Sequence, residues 1–184
     1  ARIEFTKEEI YNLTPEHAGF CRDLFERNKM RPVPLYTPFE LDKNVLMFPS
    51  TLGGGSWGGA STDPSIGLLF INVNNLGQWG HMEKKTDPAT GAVTYIRTSE
   101  YGAYARFWNR DTRIPCTNPP FGELVAVDTR TGDIAWRAPL GTMPALEALG
   151  VHETGAPNLG GSIATAGGLV FIAATNDSRF RAFD

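Results

Sequence analysis

The sequence predicts a mainly β protein, a sandwich, barrel or propeller, with one helical segment at its N-terminal end. Three observations carry this. Gly (20) and Pro (13) are frequent among 184 residues, as in chains built from many turns and short strands. Apolar runs such as 68–73 and 169–174 are strand-length and bounded by turn residues. Asp-opened, Gly-closed turns recur along the chain, and this self-similarity favours the propeller.

The totals bound the rest. A composition of 41% hydrophobic and 20% charged residues suits one globular unit with a real core. A net charge of -3 gives no electrostatic reason to expect nucleic acid or an acidic membrane as partner. No apolar run reaches the length needed to span a bilayer, and no basic stretch followed by an apolar one opens the sequence. Two cysteines, Cys21 and Cys116, are too few for a disulfide framework, and the count alone favours free buried thiols.

Residues 1–30 form the helical part. Thr6 with Glu9 is a capping box. Thr14 and Pro15 restart a helix as cap and first residue. Phe20, Cys21, Leu24 and Phe25 then fall on one face and pack against the sheet body. Residues 31–49 carry Pro32, Pro34, Pro38 and Pro49, which predicts an extended connector. Residues 50–75 hold a glycine cluster around Trp57, a turn at 63–67 and a buried strand over 68–73. Residues 76–120 mix polar and aromatic side chains without a period and read as a long decorated loop, with a weak turn signal at Asp87, Thr90 and Gly91.

The organising stretch is 126–136, Ala-Val-Asp-Thr-Arg-Thr-Gly-Asp-Ile-Ala-Trp. Strand 123–127 ends in a tight turn, and 133–137 return. Asp128 can accept backbone N–H bonds, and Gly132 supplies a positive φ. Ala126 leaves room, and Trp136 offers a large plate. Residues 138–160 read as a further loop. Residues 161–184 return to strands around a Gly167-Gly168 turn.

Ala126, Asp128, Thr131, Gly132, Asp133 and Trp136 fill every position of the tryptophan-docking motif of pyrroloquinoline quinone (PQQ) dehydrogenases. The chain resembles the C-terminal part of that family's propeller and is most similar to its membrane-type glucose dehydrogenase branch. Phe48-Pro49 with Leu52-Gly53 and Trp57-Gly58-Gly59 is similar to that branch's cofactor-facing segment. Pro115-Cys116 with 119–124 and the run 158–175 resemble two further stretches, Phe121 standing where the family has Trp.

The resemblance implies part of an eight-bladed propeller with W-motif blades, residues 1–30 packed on it and 31–184 forming it. It implies a periplasmic quinoprotein, PQQ flat on a Trp beside Ca²⁺, and hydride transfer from a sugar or other alcohol. Electrons pass to ubiquinone or a cytochrome. It also implies a Cys21–Cys116 disulfide. The calcium ligands and catalytic base are expected outside this chain, which then reads as a fragment whose edges are covered by the remaining blades or another chain.

The cofactor-facing candidates under this resemblance are Gly55, Ser56, Trp57, Asn158, Leu159 and Gly160. Flanking glycines let backbone approach a planar ring on which an indole can stack. The alternative is a non-catalytic propeller scaffold for protein–protein assembly. His17, His81 and His152 are isolated and lack metal-ligand spacing. Asp63, Asp87, Asp128 and Asp177 are explained as turn residues.

Overall fold

The computed structural model describes residues 1–184, the side chain of Ser56 excepted. The chain is mainly β and forms two compact units. The first is Leu52–Asn75 with Pro119–Asp184 and Ala1; the second is Arg2–Thr51 with Leu76–Asn118.

The second unit begins with a 3-10 turn, Lys7–Glu9, whose capping box is formed. Helix α1 (Pro15–Arg27) follows, where Thr14 Oγ1 accepts from His17 N at 3.2 Å. Its inner face carries His17, Ala18, Cys21 and Leu24. A four-stranded sheet lies in the same unit: β1 (Arg31–Pro32), β2 (Val45–Met47), β5 (Gln78–Thr86) and β6 (Val93–Thr98), in the order β1-β2-β5-β6. The core joins Phe5, Leu24, Leu46, Phe48, Trp79 and Phe107. Phe5 stacks on Phe48 at 5.5 Å between centroids and meets Phe107 edge-on at 5.4 Å. Cys21 and Cys116 are joined as a disulfide, with Cα atoms 5.5 Å apart.

The loop expected over 76–120 therefore contains a hairpin. Its two strands were hidden because β5 is buried at its start and exposed at its end, while β6 is exposed or half-buried throughout. Neither alternates apolar with polar or forms a continuous apolar run, the two patterns by which strands are read from sequence.

The first unit holds two sheets. One has the order β3-β4-β7-β8, from β3 (Gly55–Asp63), β4 (Leu68–Asn74), β7 (Gly122–Asp128) and β8 (Ile134–Pro139), antiparallel throughout. The other is β9 (Ser162–Ala164), β10 (Val170–Ile172) and β11 (Arg181–Phe183), in the order β11-β10-β9. A short helix α2 (Pro144–Glu147) interrupts the loop between them.

Ala126 is fully buried directly opposite Trp136 in the β7–β8 ladder. Trp136 is half-buried on a cluster that includes Phe70, Leu124, Val170 and Ile172, so residues of both sheets share one apolar core. Its ring lies 5.8 Å from that of Phe70. The turn that presents it is fully bonded. Asp128 N donates to Asp133 O and Gly132 N to Asp128 O, both at 2.8 Å, and Gly132 takes φ 82°. Hydrogen bonds from the Arg130 side chain and amide hold the Asp128 carboxyl down at about 2.

The same turn occurs twice more. At 87–92, Asp87 accepts from the amides of Ala89 and Thr90, and Gly91 takes φ 70°. At 109–114, Asn109 accepts from the amides of Asp111 and Thr112, and Arg113 stands in the glycine place with φ 62°. Sequence reading missed this third copy because the residue that closes it is not glycine.

Asp177 anchors the segment before β11. Its carboxylate accepts from Thr142 N (2.9 Å), Thr175 Oγ1 (2.7 Å), Arg179 N (3.2 Å) and the Arg181 guanidinium. Burial acts to raise its pKa, but these bonds outweigh it and hold the carboxyl well below the ordinary range.

Two predictions follow from this anatomy. The disulfide spans 95 residues, and in the chain-entropy account such a crosslink stabilises by roughly 4–5 kcal/mol. The double variant Cys21→Ala/Cys116→Ala is expected to lose about that much in urea denaturation, and an unchanged midpoint would contradict the assignment. Asp177 has a depressed folded pKa, so its contribution is complete above the unfolded value near 4 and drains away as pH falls through the folded one. Asp177→Asn is expected to be less stable than wild type at pH 7 and to lose less on going to pH 3, as read by denaturation midpoints at both pH values.

Candidate functional site

The sequence-derived candidates gather in the first unit. β3 carries Gly55 and Trp57; the segment before β9 carries Asn158, Leu159 and Gly160. Ser56 lies outside the described residues. The two stretches touch backbone to backbone at Gly58. A Cβ built there would sit 2.2 Å from the carbonyl carbon of Gly160, so no side chain fits. Only a glycine-walled seam lets the strand and loop approach so closely.

The residues flanking that seam behave differently. Trp57 is 85% exposed and presents its indole to solvent. Leu159 is 50% exposed, while its amide donates to Ala174 O at 2.8 Å and fixes the loop. An apolar ring and an aliphatic side chain left outside beside a seam of glycine form an open, flat-sided surface. Trp57 and Leu159 are its only large apolar members among the described candidates.

Asn158 sits inside instead. It is 1% exposed, and every polar atom of its side chain is engaged. Asn158 Oδ1 accepts from Asn72 Nδ2 at 2.7 Å. Asn158 Nδ2 donates to Val73 O at 3.1 Å and Ala156 O at 3.2 Å. Its backbone exchanges two 2.9 Å bonds with the Asn74 side chain. Asn158 thus holds the loop in place; Leu159 faces outward from that anchor, while Gly160 O accepts from Asn72 Nδ2 at 3.2 Å.

Asn72 and Asn74 were not singled out from sequence, although the signal was there. Two asparagines two residues apart in an otherwise apolar strand lie on one face, and buried amides demand partners. Asn75 extends the network by donating to Glu123 Oε2 at 2.8 Å.

The histidines are placed as satisfied or peripheral groups. His17 is buried, with Nε2 3.1 Å from Pro115 O, and burial pushes its pKa below the ordinary value. His81 Nδ1 lies 2.8 Å from Asn44 Oδ1. His152 is exposed. Among the described residues the one cluster with metal-ligand proximity is His17, Cys21 and Cys116, whose sulfurs are already bonded to each other.

A pair of β-sheets docked through the Trp136 cluster, with an exposed indole beside a glycine seam, defines a repeat-sheet protein. The chain belongs to the PQQ dehydrogenase family: the Glucose/ethanol/alcohol dehydrogenase, beta-propeller domain matches residues 1–184. It is 36% identical over 97% of its length to a probable quinate dehydrogenase (quinone) of Xanthomonas campestris pv. juglandis, of which it covers 24%. It is 33% identical over 100% of its length to a glycerol dehydrogenase large subunit of Gluconobacter oxydans (28% of that protein covered). To a quinoprotein glucose dehydrogenase of Escherichia coli it is 33% identical over 89% of its length, covering 22%. The chain therefore spans about a quarter of the length of the curated relatives it matches.

Removing the Asn158 amide strands several buried donors and acceptors, each costing about 1–3 kcal/mol. Asn158→Ala is expected to lower stability by roughly 2–4 kcal/mol in chemical denaturation. A loss under about 0.5 kcal/mol would show that the network is not the anchor described.

Proposed function

We propose that this chain forms one wall of the cofactor-facing surface of an eight-bladed propeller dehydrogenase. The enzyme acts in the periplasm, oxidises a sugar or another alcohol, and hands electrons to ubiquinone or a cytochrome. Family membership sets the class, and the exposed Trp57 on its glycine seam is the single observation that carries the local role. A pure scaffold has no use for a flat, glycine-walled slot beside an exposed indole. The Cys21–Cys116 disulfide supports an oxidising compartment.

When bound in such enzymes, PQQ takes up the substrate's hydride and Ca²⁺ polarises the reacting carbonyl. The chain's own residues bind and orient. Trp57 presents the ring face, Gly55 and Gly59 keep the strand beside it free of side chains, and Leu159 excludes water at the loop edge. Asn158 fixes the loop from behind. The general base and the calcium ligands are assigned to no residue of this chain. The relatives act on quinate, glycerol and glucose by name, all polyhydroxylated, and a polyol or sugar is the substrate class we favour.

Trp57→Ala tests the role in the whole protein. Because the ring is 85% exposed, folding should be unaffected. Losing one ring-stacking contact is expected to weaken PQQ binding about tenfold, read by quenching of intrinsic fluorescence on titration. An unchanged affinity would place Trp57 outside the site.

A further inference from the structure

The second unit contains four arginines between residues 97 and 113 that form no ion pair among the described residues: Arg97, Arg106, Arg110 and Arg113. Three lie over aromatic rings instead. Arg97 is 4.3 Å from the Tyr104 ring centre, Arg110 is 5.2 Å from Tyr101, and Arg113 is 5.4 Å from Trp108. Glu100 feels the charge of Arg110, but its oxygens are held by Arg27 and Asn28.

Arg106, like Arg97, is half-buried. Its Nη1 reaches only neutral acceptors: Thr51 Oγ1 at 3.2 Å, Gln78 Oε1 at 3.3 Å and Tyr104 O at 3.4 Å. Burial and the charge of Arg97 push its pKa below the ordinary arginine value. Gln78, its partner, is fully buried, and its Nε2 has no acceptor in the structure. A buried amide donor and a half-buried guanidinium on the same hydrogen-bonded pair both lack a counter-group. Of the two, Arg106 lines the cavity beside them, and the desolvation cost of its guanidinium is one that an oxygen anion there relieves.

Beside them opens a cavity of about 170 Å³ lined by Tyr101, Tyr104, Arg106, Trp108, Arg110 and Arg113. Arg113 projects into this wall from a turn in which the two parallel copies have glycine, and it holds φ 62° to do so. The larger cavity of the same unit, about 480 Å³ near Arg27 and Arg31, is different. There the arginines pair with Asp23, Glu100 and Glu40, so their charge is already met.

We propose that the Arg106–Arg113 cavity binds a small cyclic carboxylate, its carboxylate on the arginine forks and its ring between the tyrosines and Trp108. Arginine pairs carboxylates bidentately, and aromatic walls favour a flat apolar body over a bare inorganic anion. Drug-sized ligands occupy pockets of about 300 Å³ or more, so a tricyclic cofactor is too large for it. This site is separate in its residues from the Trp57 surface and does not depend on that role.

Calorimetric titration of the whole protein with benzoate tests the assignment, with benzamide and inorganic phosphate as comparison probes. Saturable benzoate binding is expected, at least tenfold tighter than either comparison probe and weaker at high salt. Arg106→Gln and Arg113→Gln should each weaken benzoate at least tenfold, with thermal melts confirming that both fold. Arg22→Gln, on the exposed face of α1, should bind as wild type. Equal binding of benzoate and benzamide would overturn the proposal. So would phosphate binding as tight as benzoate, or wild-type affinity in both cavity variants.

Discussion

Two sheets that share no ladder need something other than β-pairing to hold them, and in the first unit that tie is the buried amide of Asn158. β4 and the strand set β9 to β11 belong to different sheets. Asn158 precedes β9, is bridged to Thr175, and reaches Asn72, Val73 and Asn74 of β4. Buried amides are costly when unpaired, so the arrangement holds only if all partners are present together. That makes the tie specific. An apolar contact could slide, whereas six polar atoms meeting within hydrogen-bond distance fix one register. The Trp136 cluster adds bulk adhesion at the same junction, with Phe70 from one sheet and Val170 and Ile172 from the other.

The candidate surface inherits its geometry from this tie. Leu159 faces outward because the residue before it is pinned inward. Gly58 meets the backbone of Gly160 and Gly161 because it has no side chain to hold them apart. Trp57 is then left outside on a strand whose neighbours cannot cover it. An exposed indole is thus a consequence of packing that excludes side chains beside it, and its availability to a planar group follows from the backbone.

Much of this was legible in the sequence, and the part that was not has a physical reason. The turn 128–132 announced itself because each position performs one backbone task, and only certain residues perform it. The capping box of the 3-10 turn did likewise at Thr6 and Glu9, and the cap of α1 at Thr14. The hairpin β5–β6 stayed hidden because its burial changes along each strand rather than from residue to residue. Trp79 lies wholly inside, although the surrounding Gln, Gly and His give it no apolar company in sequence. Trp57 and Trp79 look alike in one dimension, yet one is exposed and the other is not. The arginine-lined cavity was illegible for a further reason. Its charge becomes notable only when Glu100 is seen to be held by Arg27 and Asn28.

The third copy of the Asp/Asn–Thr turn makes the strongest case that local rules were overridden rather than absent. Asn109, Thr112 and the amides between them repeat the bonding at Asp87 and Asp128. At the closing position a glycine costs nothing, whereas a residue with a Cβ in the left-handed region costs about 1–2 kcal/mol. Arg113 accepts that strain while standing exposed, where no packing requires its bulk. Stacking on Trp108 recovers some of it, since an exposed cation–π contact contributes about 0.5–1 kcal/mol. A residual cost remains at a position where the simpler residue serves the fold better. The guanidinium lines a cavity whose other arginines also form no ion pair among the described residues.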